Sequence, residues 1–219
     1  PEAALPHLDP EHYRPTSPLE LPGTAAALDL IRSAIAANRR IRVWGDYDVD
    51  GQTATAVLVE ALTAAGARVD YDLPRRSEGH GLAARVVAES ARDGVALLIT
   101  CDTGIGDADV IAAAAAAGLD TIVTDHHDLP PQLPAADAVV NSKLLPANHP
   151  LRELAGVGVA YMVSLALLGS GAESDALLDL VALGLVADVA YQVRDVRYLI
   201  QRGLAVIRRG ARPGVRALA

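Results

Sequence analysis

The sequence predicts an α/β domain with a parallel β-sheet between layers of helices, followed by a helical C-terminal layer. Short apolar segments alternate with helical segments of about ten residues as far as residue 150, a pattern typical of βαβ units. The segment 95–99 reads Val-Ala-Leu-Leu-Ile, and such an entirely apolar strand is expected in a sheet that helices cover on both faces. From about Leu154 onward the spacing of apolar residues is helical.

The periodicity and the turn residues set the bounds of each element. Strands are predicted at 41–44, 68–73, 95–100, 119–124 and 138–140. Helices are predicted at 24–39, 53–65, 82–92, 108–117, 157–168, 174–186 and 193–209. Residues 1–23, which are rich in proline, are expected to form an extended lead-in.

Composition excludes several classes of protein. The longest apolar run, around residues 110–118, is far shorter than the roughly 20 residues of a membrane span. The first 22 residues lack the apolar segment of a signal peptide. The single cysteine, Cys101, excludes an internal disulfide and fits a reducing compartment. We therefore expect a cytoplasmic protein without membrane attachment.

Charge gives a divided indication about nucleic acid. The net charge of −8 argues against a simple nucleic-acid binder, although carboxylates that hold a metal would add to the negative count. The segment 194–216 carries seven arginines and one acid, Asp195. This basic segment is either a solvated helix face or a surface that contacts phosphates.

Acidic clusters follow three of the predicted strands. They are Asp46-Tyr-Asp-Val-Asp50, then Asp102, then Asp125-His-His127. Because parallel strands end at the same edge of a sheet, these groups are expected to converge in one crevice. Five carboxylates packed together would repel one another, and divalent cations would keep them ionised and the imidazoles neutral.

The mixture of ligand types indicates which metal is bound. In an extended loop Asp48 and Asp50 would project in the same direction and reach two neighbouring ions. Oxygen and imidazole ligands together favour Mn²⁺, with Zn²⁺ or Fe²⁺ as alternatives and Mg²⁺ possible but less natural at a histidine. Two ions about 3.5–4 Å apart can activate water and clamp the oxygens of a phosphoryl group.

Other interpretations of single motifs remain open. Residues 46–51 resemble a calcium loop, but the twelfth-position Glu is missing and a strand precedes them. Gly156 and Gly158 precede a helix, where free amides would meet phosphate; close helix packing is the alternative. Asp188 lies in an apolar helical stretch and needs a partner, either a metal or an arginine.

Taken in order, these motifs resemble the DHH phosphoesterase superfamily and, within it, the RecJ-type single-strand-specific exonucleases. The resemblance covers about residues 25–218 and is carried by the segments Gly45–Gly51, Val123–His127, Ala155–Ala160 and Leu183–Val189. It implies a DHH-type, Rossmann-like sheet. The expected domains are a metal-binding α/β domain at 24–150 and a helical part at 151–219, which closes the same domain and leads to a missing second domain.

The resemblance also implies a role for each site residue. The implied metal ligands are Asp48, Asp50, Asp102, His126 and Asp188, with Asp102 as the bridge between two Mn²⁺ ions. The implied catalytic residues are Asp46, Asp102 and His127, and Asp125 would support them. The sequence departs from RecJ-type patterns at His80, where tyrosine is usual, and at Thr103, where cysteine is usual.

The implied activity is a metal-dependent, 5′-to-3′ exonuclease that converts single-stranded DNA to 5′-mononucleotides in repair and recombination. Arg75 and Arg76 are candidate phosphate contacts or ordinary surface charges. We expect a monomer that binds single-stranded DNA, with a single-strand-binding protein as a partner. The alternatives are a phosphodiesterase for oligoribonucleotides or cyclic dinucleotides, and a non-catalytic binding module.

Overall fold

The structure, a computed structural model, describes residues 5–210 and 212–218, without the side chain of Leu218. Its sheet has five parallel strands in the order β2-β1-β3-β4-β5. The strands are β1 Arg40–Trp44, β2 Arg68–Asp72, β3 Val95–Cys101, β4 Asp120–Asp125 and β5 Ala138–Asn141. The predicted α/β class and parallel sheet are confirmed, and each predicted strand boundary lies within one residue of the observed one.

Helices surround the sheet. They are α1 Leu5–Leu8, α2 Thr24–Ala36, α3 Val49–Ala64, α4 Ala84–Arg92, α5 Ala108–Ala116, α6 Gly156–Leu168, α7 Ala172–Ala176, α8 Leu178–Ala187, α9 Arg194–Arg209 and α10 Pro213–Leu218. Within the described residues, no helix is both long enough and apolar enough to cross a membrane.

Several predicted elements differ from the structure: α2 ends at Ala36 instead of residue 39, α3 begins before its predicted start, and two further differences are larger. The lead-in is not extended throughout, since α1 and two 3-10 turns, Pro10–His12 and Pro18–Glu20, fold it locally. In each of these turns a proline occupies the start, and the side chain of Asp9 or Ser17 caps it. The helix predicted at 174–186 is divided at Leu177 into α7 and α8.

The strand order places a crevice at one edge of the sheet. From β1 the chain crosses to β2 on one side, and it then returns past β1 to β3, β4 and β5 on the other side. The connections that leave β1 and β3 therefore diverge, and ligands of such sheets bind where they separate, beyond the carboxyl ends of the strands. The acidic clusters that follow β1, β3 and β4 lie at this edge.

Alternate residues of the strands enter two separate apolar cores. Leu97 and Ile99 of β3 join the larger core with α2, α3, α6, α8 and α9. Leu98, which lies between them, joins Trp44 and the inner faces of α4 and α5 in the smaller core. The period of two along the strands thus buries both faces of the sheet, as the apolar strand at 95–99 predicts.

The C-terminal helices pack directly on the rest of the domain. Residues of α8 and α9 are buried in the larger core together with α3 and α6. Gly203 of α9 allows the closest approach, because a Cβ atom there would lie 2.2 Å from the carbonyl oxygen of Leu178 and 2.5 Å from Cβ of Ala182. The helical C-terminal layer of the predicted fold is observed.

Replacing Gly203 by alanine tests this packing. Alanine is the better helix former by about 1 kcal/mol, yet we expect Gly203→Ala to lower the free energy of unfolding by about 1–3 kcal/mol because α9 must move away from α8. Urea unfolding followed by circular dichroism measures the change. Gly214→Ala in α10 is the control, since a Cβ there meets nothing within 4 Å. Equal stability of the two variants would contradict the observed packing.

Candidate metal centre

The turn from β1 into α3 positions Asp48 and Asp50. Asp48 caps α3, and its carboxylate accepts a hydrogen bond of 2.9 Å from the amide of Gly51. The helix begins at Val49, four residues earlier than predicted, so Asp50 lies in its first turn. The expectation that Asp48 and Asp50 project alike from an extended loop is therefore wrong, and the two carboxylates point to different neighbours.

Asp50 is held by the start of α6. Its side chain is buried and accepts hydrogen bonds from the amides of Gly156, at 2.7 Å, and Val157, at 2.9 Å. The positive end of the helix thus stabilises the ionised carboxylate. The Gly156 amide, which the sequence suggested as a free phosphate contact, is engaged by Asp50. Gly158 is buried beside Leu154, as the alternative of close packing requires.

Asp102 follows β3 in an unusual backbone conformation. Its φ of +60° lies in the left-handed region, which is costly for a residue with a side chain. A Cβ atom at Gly156 would lie 2.5 Å from Cβ of Asp102, so the glycine is what lets α6 approach. Asp102 is only 2% exposed, and its Oδ1 atom has no hydrogen-bond partner among the described residues.

The segment that follows β4 carries two imidazoles. The Nε2 atom of His126 lies 3.1 Å from Oδ1 of Asp102 and 3.7 Å from Oδ2 of Asp50, between two carboxylates. The buried Asp125 accepts hydrogen bonds from the amides of Ile105 and His126 and from Nδ1 of His127, at 2.7 to 2.9 Å. Asp125 therefore fixes the orientation of His127, in keeping with the predicted supporting role.

Asp188 reaches the site from the end of α8. It is the residue that caps this helix, and it is exposed, so the expectation of an acid buried inside an apolar helix is wrong. Partial desolvation of the carboxyl nevertheless raises its pKa, so it still gains from a positively charged partner. Its carboxylate has an oxygen within 4.8 Å of ligand atoms of Asp50 and His126, which is the position that the resemblance implies.

Among the residues that the structure describes, potential metal ligands form three groups in which the ligand atoms lie within 4.8 Å of one another. The groups are Asp50, His126 and Asp188; Asp102, His126 and His127; and Asp46, Asp48 and His80. Each acid and histidine predicted for the site therefore belongs to one of these groups, except Asp125, which is hydrogen-bonded to His127 of the second group. His80 was not predicted as a site residue; the one signal in the sequence was its departure from the usual tyrosine.

The carboxylates repel one another. Burial, followed by the charge of Asp102, raises the pKa of Asp50 to about 8. Burial, followed by the charge of Asp48, raises the pKa of Asp102 to about 8. The hydrogen bond with Asp125 raises the pKa of His127 to about 9. A divalent cation relieves this repulsion. Oδ1 of Asp102, which makes no hydrogen bond within the described residues although Nε2 of His126 lies 3.1 Å away, and the mixed oxygen and nitrogen donors fit such an ion.

Comparison with known proteins identifies the family. Residues 40–185 match the model of the DHH family, N-terminal domain. The chain belongs to the DHH family. Among the relatives of this DHH domain is the single-stranded-DNA-specific exonuclease RecJ of Dickeya dadantii (strain 3937), 43% identical over 214 residues. The match covers 90% of the chain but 37% of that relative, so the chain spans little more than a third of its length.

Solved structures agree with this assignment. An exonuclease RecJ bound to manganese superposes on the DHH domain with a TM-score of 0.85 and 37% identity, covering 94% of this chain and 53% of that one. RecJ from Thermus thermophilus in complex with Mn²⁺ has a TM-score of 0.81 and 35% identity, covering 100% of this chain and 33% of that one. The predicted DHH-type fold is confirmed.

The repulsion predicts how stability depends on pH without divalent cations. Between about 4, the usual pKa of aspartate, and about 8, folded Asp102 keeps a proton that the unfolded chain has lost. Stability therefore falls as pH rises through this window. We expect Asp102→Asn to flatten the fall in Tm that the wild type shows in a chelator between about pH 5 and about pH 8.

The second part of this experiment is the addition of Mn²⁺ in place of the chelator. It should raise the Tm of the wild type at about pH 8 but have little effect on Asp102→Asn, because that variant lacks a carboxylate predicted to bind the metal. Asp29→Asn, an exposed position on α2, is the control and should behave as the wild type. A wild-type Tm that rises with pH in the chelator would show that the carboxylates are not destabilising.

Proposed function

We propose that this DHH domain is the catalytic core of a 5′-to-3′ exonuclease that hydrolyses single-stranded DNA to 5′-mononucleotides in repair and recombination. The observation that carries the proposal is the buried Oδ1 of Asp102, which makes no hydrogen bond within the described residues and lies 3.1 Å from Nε2 of His126, among carboxylates and imidazoles at the carboxyl edge of the sheet. The RecJ exonucleases among the relatives, 43% identical in one case, support the choice of reaction and substrate.

The charges around Asp102 suggest two ions with Asp102 as the bridge. The strongest charge acting on Asp102 is that of Asp48, whereas Asp50 is influenced by Asp102, His126 and Asp188. Nε2 of His126 lies 3.1 Å from Asp102 and 3.7 Å from Asp50, and Asp102 shares a cleft with Asp46, which supports a place for Asp102 between two sets of ligands. We assign Asp50, His126, Asp188 and Asp102 to one ion, and Asp48, Asp102 and the neighbouring Asp46 to the other. Mn²⁺ suits the imidazole ligand, and Mg²⁺ is the alternative.

Bound ions would supply Lewis acidity for the attacking water and the phosphoryl oxygens. The side chains of the domain set the geometry. Asp125 holds His127 by a hydrogen bond of 2.7 Å to Nδ1, which leaves Nε2 of the half-exposed ring directed away from Asp125. His127, Asp46 and Asp102 line one cleft, so we assign the catalytic roles to these three residues: the two carboxylates would act through the ions that they hold, and His127 would face the reacting phosphate.

This cleft has a volume of about 290 Å³ and is lined mainly by polar groups and glycines. Arg76 lies at its margin, with the guanidinium 4.8 Å from the ring centroid of Tyr47, and both Arg75 and Arg76 are exposed. We propose both arginines as contacts for a phosphate backbone, although Arg75 lines a separate pocket with Asp72 and Glu78 and not this cleft. Basic residues beside the cleft can follow the backbone of a single strand.

The basic C-terminal segment offers fewer arginines for phosphate contacts than its composition suggests. Arg212 pairs with Glu60 and with Asp179, and Arg202 pairs with Asp175. These ion pairs connect separate elements of the domain, so these arginines are engaged within the fold and we do not propose them as phosphate contacts. Arg75 and Arg76 remain the arginines that we propose for phosphate contacts.

We further propose that the protein is a cytoplasmic monomer and that a single-strand-binding protein presents its DNA. The free, buried Cys101 supports a reducing compartment. Single-stranded DNA as the substrate is supported by the names of the relatives, which are described as single-stranded-DNA-specific.

A product assay with Mn²⁺ tests the proposed function. Labelled single-stranded DNA, duplex DNA and a dinucleotide are incubated with the wild type, with Asp102→Ala and with Asp29→Ala as a surface control. We expect stepwise release of 5′-mononucleotides from single-stranded DNA, reduced at least ~100-fold by Asp102→Ala and unaffected by Asp29→Ala.

The other outcomes separate the alternatives. Hydrolysis of the dinucleotide alone would assign the domain to the small-nucleotide phosphodiesterases. Binding of Mn²⁺ without hydrolysis of any substrate would show a non-catalytic module. Equal activity of the wild type and Asp102→Ala would remove Asp102 from the catalytic centre.

A further inference from the structure

His80 is held over the acidic cluster by a well-anchored loop. It lies between Gly79 and Gly81, both with positive φ, in the connection from β2 to α4. The carbonyl of Gly81 accepts a hydrogen bond from the indole of Trp44, and the next amide, Leu82, donates to Asp107. The loop is therefore fixed to the end of β1 and to the start of α5, and the imidazole lies at the cleft.

Both nitrogens of the His80 ring have partners. The Nδ1 atom lies 2.5 Å from Oδ2 of Asp46, and Nε2 is hydrogen-bonded to the hydroxyl of Tyr47. The ring of Tyr47 also packs on the imidazole, with 4.4 Å between centroids. Asp46 is almost fully buried, whereas the His80 side chain is 63% exposed, so the imidazole covers the carboxylate from the solvent side.

The two ion positions proposed above differ in their ligands. The position at Asp50 and Asp188 has an imidazole, that of His126, in its ligand group. The position at Asp46 and Asp48 would have carboxylates alone if His80 did not take part. A ring nitrogen of His80 lies within 4.8 Å of oxygens of both these acids. His80 also lines the cleft to which Asp102 belongs.

We propose that His80 is a ligand of the ion held by Asp48, beside Asp46 and the bridging Asp102. This assignment rests on the proposed two-metal function. The ion would bind Nδ1, and the neutral ring would then carry its proton on Nε2, where the Tyr47 hydroxyl accepts it. An imidazole in this position favours Mn²⁺ over Mg²⁺, so His80 makes the second position selective for manganese.

Titration with Mn²⁺ and Mg²⁺ tests the assignment. We compare the wild type with His80→Asn, whose amide can still donate to Asp46 but is a poor ligand for Mn²⁺, and with His80→Tyr. We expect two Mn²⁺ ions per wild-type chain. In both variants the affinity for one of them falls at least about tenfold, while the other Mn²⁺ and the Mg²⁺ affinities stay the same. Circular dichroism checks that the variants are folded.

Pulsed electron paramagnetic resonance supplies a direct readout of the ligand. Mn²⁺ bound to the wild type should show couplings to histidine nitrogens from both ions, and His80→Asn should lose one of them. His12→Asn is the matched control, since His12 is also hydrogen-bonded through Nδ1 to an aspartate, Asp9, but lies in the lead-in. It should bind both ions as the wild type does.

The outcomes distinguish this inference from the proposed function. Two Mn²⁺ ions bound equally well by the wild type and His80→Asn, with unchanged nitrogen couplings, would overturn the role of His80 and leave the two-metal site intact. Binding of fewer than two ions by the wild type would contradict the two-metal function itself, and the assignment of His80 with it.

Discussion

The contact between the Asp50 carboxylate and the first amides of α6 is the interaction on which the centre of this domain depends. It joins the start of α3 to the start of α6, so that two helices from distant parts of the chain meet at the carboxyl edge of the sheet. The amides compensate one buried charge, but burial and neighbouring acids still raise the pKa of Asp50 to about 8. The arrangement is thus complete only with additional positive charge.

The small size of a few residues makes this crowding possible. Gly51 and Gly156 stand where any Cβ would collide with Asp46 or Asp102. Asp102 itself has a left-handed backbone that most residues avoid. The domain thereby places strain and like charges together at one point of the sheet, and the two apolar cores on either face supply the stability that offsets them.

The same edge shows how one fold can be adapted by its loops. The strands fix where Asp46, Asp102 and Asp125 stand, whereas the loop that carries His80 comes from the connection between β2 and α4. A change of this one loop residue would alter the groups in contact with Asp46 and leave the strands in place. Such loop positions are where metal preference and substrate contacts can vary among proteins with a common core.

The sequence by itself determined the strand bounds, the parallel sheet and the acids at its edge, because period-two apolar segments and strand-end clusters are local patterns. It placed the start of α3 too late, because the Asp48 cap that begins the helix reads equally well as part of an acidic loop. The apolar stretch around Asp188 also predicted that this residue is buried, whereas the structure exposes it. Only the tertiary structure decided that Asp50 binds the α6 amides, that one oxygen of Asp102 is buried without a hydrogen bond and that His80 lies over Asp46. These contacts join residues far apart in the chain, and local pattern carries no information about such distances.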